Sequence, residues 1–514
     1  MLEAVETVDR VEWGRAERGQ VAIQTREVPA VSGETNGRTA GSGGPAPVQV
    51  NPNIVMAVLL AGAFVIILNQ TLLNTALPAF MADFGITANA AQWVTTLFML
   101  VNGIMIPATA FLIQKFSTRT MFFAAMGIFA LGTLICAVAP VYAVLLVGRV
   151  VQAASGGMIM PLMQTILFAI FPIHKRGTAM GTFGLVISFA PAIGPTLSGF
   201  VVDHWSWRVL FVMMLPIALG ALAFAYFTLK NVTEQTNPHL DLLSLILSTF
   251  AFGGLLFGFS NAGNVGWISP QVLVPLGVGV VTLVWFVHRQ LRLADPLLEL
   301  RVLGNRMFTL GTVLGMLVFM AMIGGMLMIP LFMQNMSDFT ALESGLVLLP
   351  GAVVMGLMSP VTGRIFDRFG ARALAVIGFA LLTVTTLLLA RLNPETTFAY
   401  IAIVNAVRML GTAMVIMPVT TAALNQLSPR MIPHGAAVNN TMRQVAASVG
   451  TGVLVTVMTA AALDPQEHGV TGAIHGVNVA FLVAAGISAL GLLGACFLRG
   501  SRPMPPEPEP ENEA

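Results

Sequence analysis

Fourteen stretches of this chain are apolar over the ~20 residues that a helix needs to cross the hydrocarbon core of a bilayer. They run roughly 54–77, 91–113, 121–141, 143–170, 177–201, 208–229, 241–260, 270–288, 308–333, 342–365, 373–391, 398–425, 436–461 and 475–498. Inside a bilayer every backbone polar group must be satisfied within the protein, so windows of this length predict α-helices. Charged residues are only 9% of the 514, against roughly 25% in soluble domains. The fold class expected is an all-α membrane protein embedded in the lipid bilayer. A net charge of +2 points to no nucleic-acid partner. Cys136 and Cys496 lie in apolar runs near opposite faces, so no disulfide is expected.

Residues 1–53 are polar and rich in Gly, Ser and Pro, with no basic start followed by an apolar stretch, and read as a disordered tail. Residues 499–514, ending PMPPEPEPENEA, read the same way. Lys and Arg alternate between loops. Lys115, Arg119, Lys175, Arg176, Lys230, Arg289, Arg292, Arg301, Arg306, Arg364, Arg368, Arg372, Arg430, Arg499 and Arg502 fall on the side of the two tails. Only Arg208 and Arg391 fall on the other side, and Arg149, Arg408 and Arg443 fall within spans. The positive-inside rule then puts both termini on the cytoplasmic side of the membrane.

The chain also repeats. AFLIQKFSTR (110–119) follows the second span and GRIFDRFGAR (363–372) the tenth, 253 residues later. MIMP (158–161) is echoed by VIMP (415–418) at an offset of 257. Spans one to six therefore correspond to spans nine to fourteen. The expected organisation is a six-helix bundle at 54–230, a linker with two additional helices at 231–306, and a second six-helix bundle at 307–498. Repeated halves around a central site are how alternating-access carriers are built.

These features resemble the major facilitator superfamily, and within it the fourteen-span drug:proton antiporters, especially the lincomycin-type exporters of Gram-positive bacteria. GRIFDRFGAR is similar to the superfamily's loop motif at Gly363, Asp367, Arg368, Gly370 and Arg372. Its glycines would permit a tight turn and close helix approach, and its Asp and Arg would lock neighbouring helix ends on the cytoplasmic side. In the first copy Gln114 stands where the motif has Asp, which predicts a weaker latch in that half. APAIGPTLSG resembles the exporters' motif at Pro191, Gly194, Pro195 and Gly199, and suggests a hinge or a seam between halves. GRVVQAASGG resembles, through Arg149, Gln152 and Gly156, the motif whose arginine is implicated in proton coupling.

Span one reads ILNQTLLNTALP, with Asn69 where relatives of this family have Asp. Polar groups in an apolar helix need partners. Asn69, Gln70 and Asn74 are therefore candidate substrate contacts, with Arg149, Gln152, Asn405, Arg408, Asn440 and Arg443. No carboxylate or histidine falls in the middle of a span, so coupling candidates are Arg149 and the span-end residues Glu343, Asp203 and Asp367. Thr340 and Glu343 also have the spacing of a capping box, and Asp203 is placed to pair with Arg208. Met316, Met320, Met322, Met326, Met328 and Met333 suggest an adaptable apolar cavity wall.

The expected function is secondary active export of small lipophilic or amphiphilic drugs by alternating access, coupled to proton influx. Export of an endogenous lipid, amphiphile or other metabolite is the alternative, and buried arginines would suit its anionic headgroup. Neither a cofactor nor a metal is expected, and the protein is expected to be a monomer. No HExxH, GxSxG, P-loop or Cys/His cluster is present, so it is not expected to be an enzyme.

Overall fold

The computed structural model describes residues 51–498, except 233, 234, 237 and 338. The described chain is helical, with fourteen helices long and apolar enough to span a membrane. In chain order the helices are α1 (Pro52–Thr75), α2 (Leu77–Phe84), α3 (Ala88–Lys115), α4 (Thr118–Ala137), α5 (Tyr142–Ile170), α6 (Arg176–His204), α7 (Arg208–Thr228) and α8 (Leu242–Val265). They continue as α9 (Pro270–Arg292), α10 (Arg306–Met336), α11 (Ala341–Leu346), α12 (Leu349–Phe369), α13 (Ala371–Leu389), α14 (Phe398–Leu424), α15 (Ile432–Ala461) and α16 (Pro465–Cys496).

Several helices begin where a side-chain oxygen can take an unpaired backbone N–H. Thr87, Ser117, Ser269, Asn305, Thr340, Thr397 and Asp464 all do this. Three boundaries differ from the hydropathy windows. The first span stops at Thr75 and the chain restarts as the short α2, with Pro78 in its first turn where the missing N–H costs nothing. The tenth span is broken into α11 and α12. The last helix begins ten residues early, at Pro465, and bends at Gly469 (φ +54°).

Spans one to six (α1, α3–α7) form one bundle and spans nine to fourteen (α10, α12–α16) the other. The two additional helices, α8 and α9, pack on each other, and α8 packs against α3 and α15. Trp93 of α3 stacks on Phe257 of α8 at 5.7 Å, and Trp267 donates to Thr456 of α15 at 2.7 Å. The far side of α9 stays exposed at Val274, Val280, Val281, Val284 and Trp285, as a lipid-facing surface would. The end of the molecule that carries most of the basic loops is called here the basic end.

Surface charges pair at helix ends. Arg208 bonds Asp83 at 2.9 Å, joined by Trp207 at 3.0 Å. Those two bonds, Trp207's first, hold the Asp83 carboxyl below its usual value. The expectation that Arg208 pairs with Asp203 is thus corrected. Asp203 is exposed in the last turn of α6, while the α2 turn brings Asp83 to the arginine.

At the basic end Arg289 makes two bonds to Asp241, at 2.7 and 3.1 Å, and clasps the start of α8 to the end of α9. Arg289's hydrogen bonds, helped by Ser244, pull the Asp241 carboxyl down to about 2. The folded value lies below the unfolded one. The clasp therefore contributes fully above about pH 4 and is lost as pH falls toward 2. Arg289→Ala is expected to lower the melting temperature by a few degrees at neutral pH. A deficit that stays constant down to the acid limit would show that the clasp is not its cause.

Candidate functional site

Three arginines lie in the apolar interior, and each is held by neutral oxygens. Arg149 of α5 is fully buried. Its Nη1 donates to Asn69 Oδ1 at 2.9 Å and to Gln152 Oε1 at 2.8 Å. Its Nε donates to the Val94 carbonyl at 3.1 Å, and its plane lies 4.3 Å over Phe98. Gln152, one turn along α5, passes the network to Thr133 of α4 at 2.7 Å. One guanidinium therefore ties α1, α3, α4 and α5 together and does not reach for the interface. Two buried donors have no partner, Arg149 Nη2 and Asn69 Nδ2.

Arg408 of α14 is the counterpart in the second bundle, also fully buried. Its Nη2 donates to the carbonyls of Ala321 and Met322 on α10, the latter at 3.3 Å. Asn405 lies 3.5 Å from Nη1, and Nε has no partner. The guanidinium fills the space left by the absent side chain of Gly325. Arg443 of α15 donates to Asn440 and lies 5.5 Å over Phe319. Asn440 in turn donates to Gln164 Oε1 of α5 at 2.8 Å, a direct link between the two bundles. Gln164 escaped the sequence reading, although a glutamine inside the apolar run PLMQTILF is itself a signal.

The bundles meet most closely toward the basic end, where α6 crosses α12. A side chain at Gly363 would run into the backbone of Gly177, and one at Gly181 would run into that of Ser359. Gly177, Gly181 and Gly184 share one face of α6 as a small-residue stripe. Asp367 crowns this seam. It accepts from the Gly177 N–H at 2.7 Å, the Thr178 N–H at 2.8 Å and the Thr178 hydroxyl at 2.6 Å. A carboxylate at a helix N-terminus meets unpaired N–H groups and the positive end of the dipole. Gly370 follows at φ +81°, where a side chain would be strained. Arg176 completes the seam by donating to Asn425 at 2.9 Å.

Several expected roles fall elsewhere. Among the described residues Arg368 and Arg372 form no hydrogen bond. Both are exposed, and Arg368 lies 5.2 Å over Phe369, so the loop's lock is made by Asp367 without them. Gly194 packs on Thr71 of α1, in the same bundle, and a side chain at Gly199 would meet nothing within 4 Å. The seam between bundles therefore uses the glycines near the start of α6 and not those beside Pro191 and Pro195. Met328 and Met333 are packed in the second bundle's core and Met326 is exposed, so the methionines do not form one wall.

Gln70 is partly exposed and makes no hydrogen bond among the described residues. The Asn74 side chain lies outside them. Glu343 closes its capping box with Thr340 at the head of α11. The ion pairs among the described residues are Arg208–Asp83, Arg289–Asp241 and Arg301–Glu299, so none of the three buried arginines has a carboxylate partner.

Two bundles that close on each other at one end, with polar groups sequestered inside, define a membrane transporter. Residues 59–451 match the Major Facilitator Superfamily, and the chain belongs to it. It is 53% identical over 460 residues to the uncharacterized MFS-type transporter YcnB of Bacillus subtilis (strain 168), covering 89% of this chain and 98% of that one. It is 41% identical over 463 residues to the lincomycin resistance protein LmrB of Listeria monocytogenes serovar 1/2a, covering 88% and 98%. The crystal structure of the human organic anion transporter MFSD10 shares the fold, with a TM-score of 0.64 at 15% identity, covering 87% of this chain and 100% of that one.

Proposed function

We propose that this transporter exports small lipophilic or amphiphilic drugs by alternating access, driven by proton influx. The observation that carries the reading is the basic-end seam. Every hydrogen bond between the bundles among the described residues lies toward that end: Asp367 to α6, Arg176 to Asn425, Gln114 to His434, and Asn440 to Gln164. With the basic end and both tails in the cytoplasm, this is the state closed to the cytoplasm. Residues 54–230 and 307–498 then rock against each other about the interior, and 231–306 links them. The likeness to a lincomycin resistance protein over most of both chains supports a drug as cargo.

Within this reading Asn69, Gln70, Asn74, Gln152, Asn405, Asn440 and the three arginines contact substrate. Among the acidic coupling candidates, Glu343 is engaged in its cap and Asp203 is exposed, which leaves Asp367 at the seam. The test is a drug-susceptibility panel in an efflux-deficient host. The protein should protect against lipophilic drugs. Arg149→Ala should cut transport about ten- to a hundredfold, the loss of one charged hydrogen bond worth about 1.5–3 kcal/mol. Uptake into inside-out vesicles that ran unchanged after collapse of the proton gradient would overturn the coupling.

One observation favours the second reading, export of an endogenous anionic amphiphile. Arg149 Nη2 is buried and unpaired, as a donor awaiting a phosphate or carboxylate would be. A panel in which no drug's toxicity changes would favour it.

A further inference from the structure

The internal repeat places a second latch opposite the Asp367 one. The offsets of 253 and 257 residues carry Asp367 onto Gln114 and Gly177 onto His434. The contact they predict is present, because the Gln114 carboxamide lies 2.6 Å from His434 Nε2. On one side a carboxylate thus caps a helix start, and on the other an amide meets an imidazole in the first turn of a helix.

His434 is 5% exposed, in the first turn of α15. Its Nδ1 accepts the backbone N–H of Glu299 at 3.1 Å. In a neutral ring Nε2 then carries the hydrogen, so the Gln114 carboxamide, whose nitrogen is placed at this contact, is turned over to accept through its oxygen. The backbone carbonyl of Gln114 meanwhile accepts the Thr236 N–H at 2.9 Å. Thr236 lies on the segment leading into the two additional helices and Glu299 on the segment leading out. Both segments therefore converge on the Gln114–His434 pair, and the pair joins the two bundles.

We propose that His434 is a proton-binding residue of the transport cycle, holding the basic end shut when neutral and releasing it when protonated. The inference rests on the proton-coupled reading above. A proton taken up at Nδ1 turns an acceptor into a donor that faces the Glu299 N–H. That bond breaks and the outgoing segment is freed, while the Nε2–H bond to Gln114 survives; what drives the end open is the buried imidazolium, which is stable only once water reaches it. The proton leaves from the same nitrogen once the end has opened. The charged groups around the ring do not neutralise that cation. On the surrounding elements at this end they are Lys115 of α3, Arg430 before α15, Arg306 of α10, and Arg301, Glu299 and the exposed Asp295 of the outgoing segment. The Glu299 carboxylate is engaged by Arg301, at 3.2 Å to both its N–H and its Nη1. No carboxylate lies within ion-pair distance of the ring among the described residues. His434 thus supplies a buried titratable group where no span carries a carboxylate in its middle.

The test reads conformation and transport separately. Spin labels go on the full-length protein in lipid at Lys175→Cys and Arg430→Cys, both exposed and on opposite bundles, with Cys136 and Cys496 replaced by alanine. Between about pH 8 and pH 5 the native protein should gain a longer-distance population at the basic end. His434→Gln should stay at the short distance throughout, and should lose proton-driven ethidium transport by at least about tenfold. Gln114→Ala leaves the ring in place and should populate the open form at both pH values. Acid opening that persists in His434→Gln, or a Gln114→Ala variant that stays closed, overturns the inference. If ethidium transport collapses with the gradient while His434→Gln changes nothing, the inference fails and proton coupling stands. If acid opening depends on His434 but ethidium flux ignores the gradient, the latch stands and the coupled export reading fails.

Discussion

Asn69→Asp is expected to stabilise the protein by about 1 kcal/mol, because a buried hydrogen bond charged only on the arginine becomes one charged on both sides. Arg149 carries its charge among neutral oxygens, with Asn69 Oδ1 at 2.9 Å. The amide nitrogen of Asn69 and Nη2 of Arg149 are both donors without partners. A carboxylate of the same shape removes the first orphan and offers a second oxygen to the other. The isolated buried cation becomes an ion pair, and a guanidinium matches a carboxylate in a two-bond fork. Burying the new carboxylate opposes this gain, but the fixed cation beside it supplies the counter-charge. The measurement is the melting temperature of the purified protein, which should rise. A fall would mean that Arg149 is already compensated by its carbonyl and amide partners.

Gly363→Val is the second large effect. A side chain at this position would overlap the Gly177 backbone, and backbone cannot rotate aside as a long side chain can. Overpacking of this kind costs about 1–3 kcal/mol, paid only in the state where α6 and α12 are in contact. The equilibrium should then move roughly 5- to 150-fold away from basic-end closure. Thr178→Cys, which keeps the N–H that Asp367 accepts, reports this in a Cys136→Ala, Cys496→Ala background as faster labelling by a membrane-impermeant thiol reagent from the basic side. Gly199→Val is the control, because nothing lies within 4 Å of an added side chain there. Equal labelling in the two variants would show that the α6–α12 crossing does not gate that end.

Much of the fold was legible because its signals are local. Apolar length marks a span within its own twenty-odd residues, and a cap such as Thr340 with Glu343 lies within four. The repeat was legible through short matches at a constant offset. Pairing across helices was not. Asp203 and Arg208 are neighbours in sequence, yet Arg208 bonds Asp83, because the break at Ala76 turns α2 back toward α7. His434 fell just outside its hydropathy window and drew no attention, since a histidine at a helix start has a solvated explanation. The return of the 293–305 segment onto α15, together with Gln114 of α3, buries it.

By itself the sequence determined the number of spans, the sidedness of their basic loops and the two-bundle repeat. Each of these follows from hydrophobic length, charge and periodicity, which need no knowledge of neighbours. The tertiary structure alone decided that Arg149 rests on Asn69 without a carboxylate, that Asn440 reaches Gln164 across the bundles, and that Gln114 meets His434. Those contacts join residues 80, 276 and 320 positions apart. In an apolar solvent no local rule selects them, because helix faces are matched by the shape of small residues and by the need to satisfy each buried polar group.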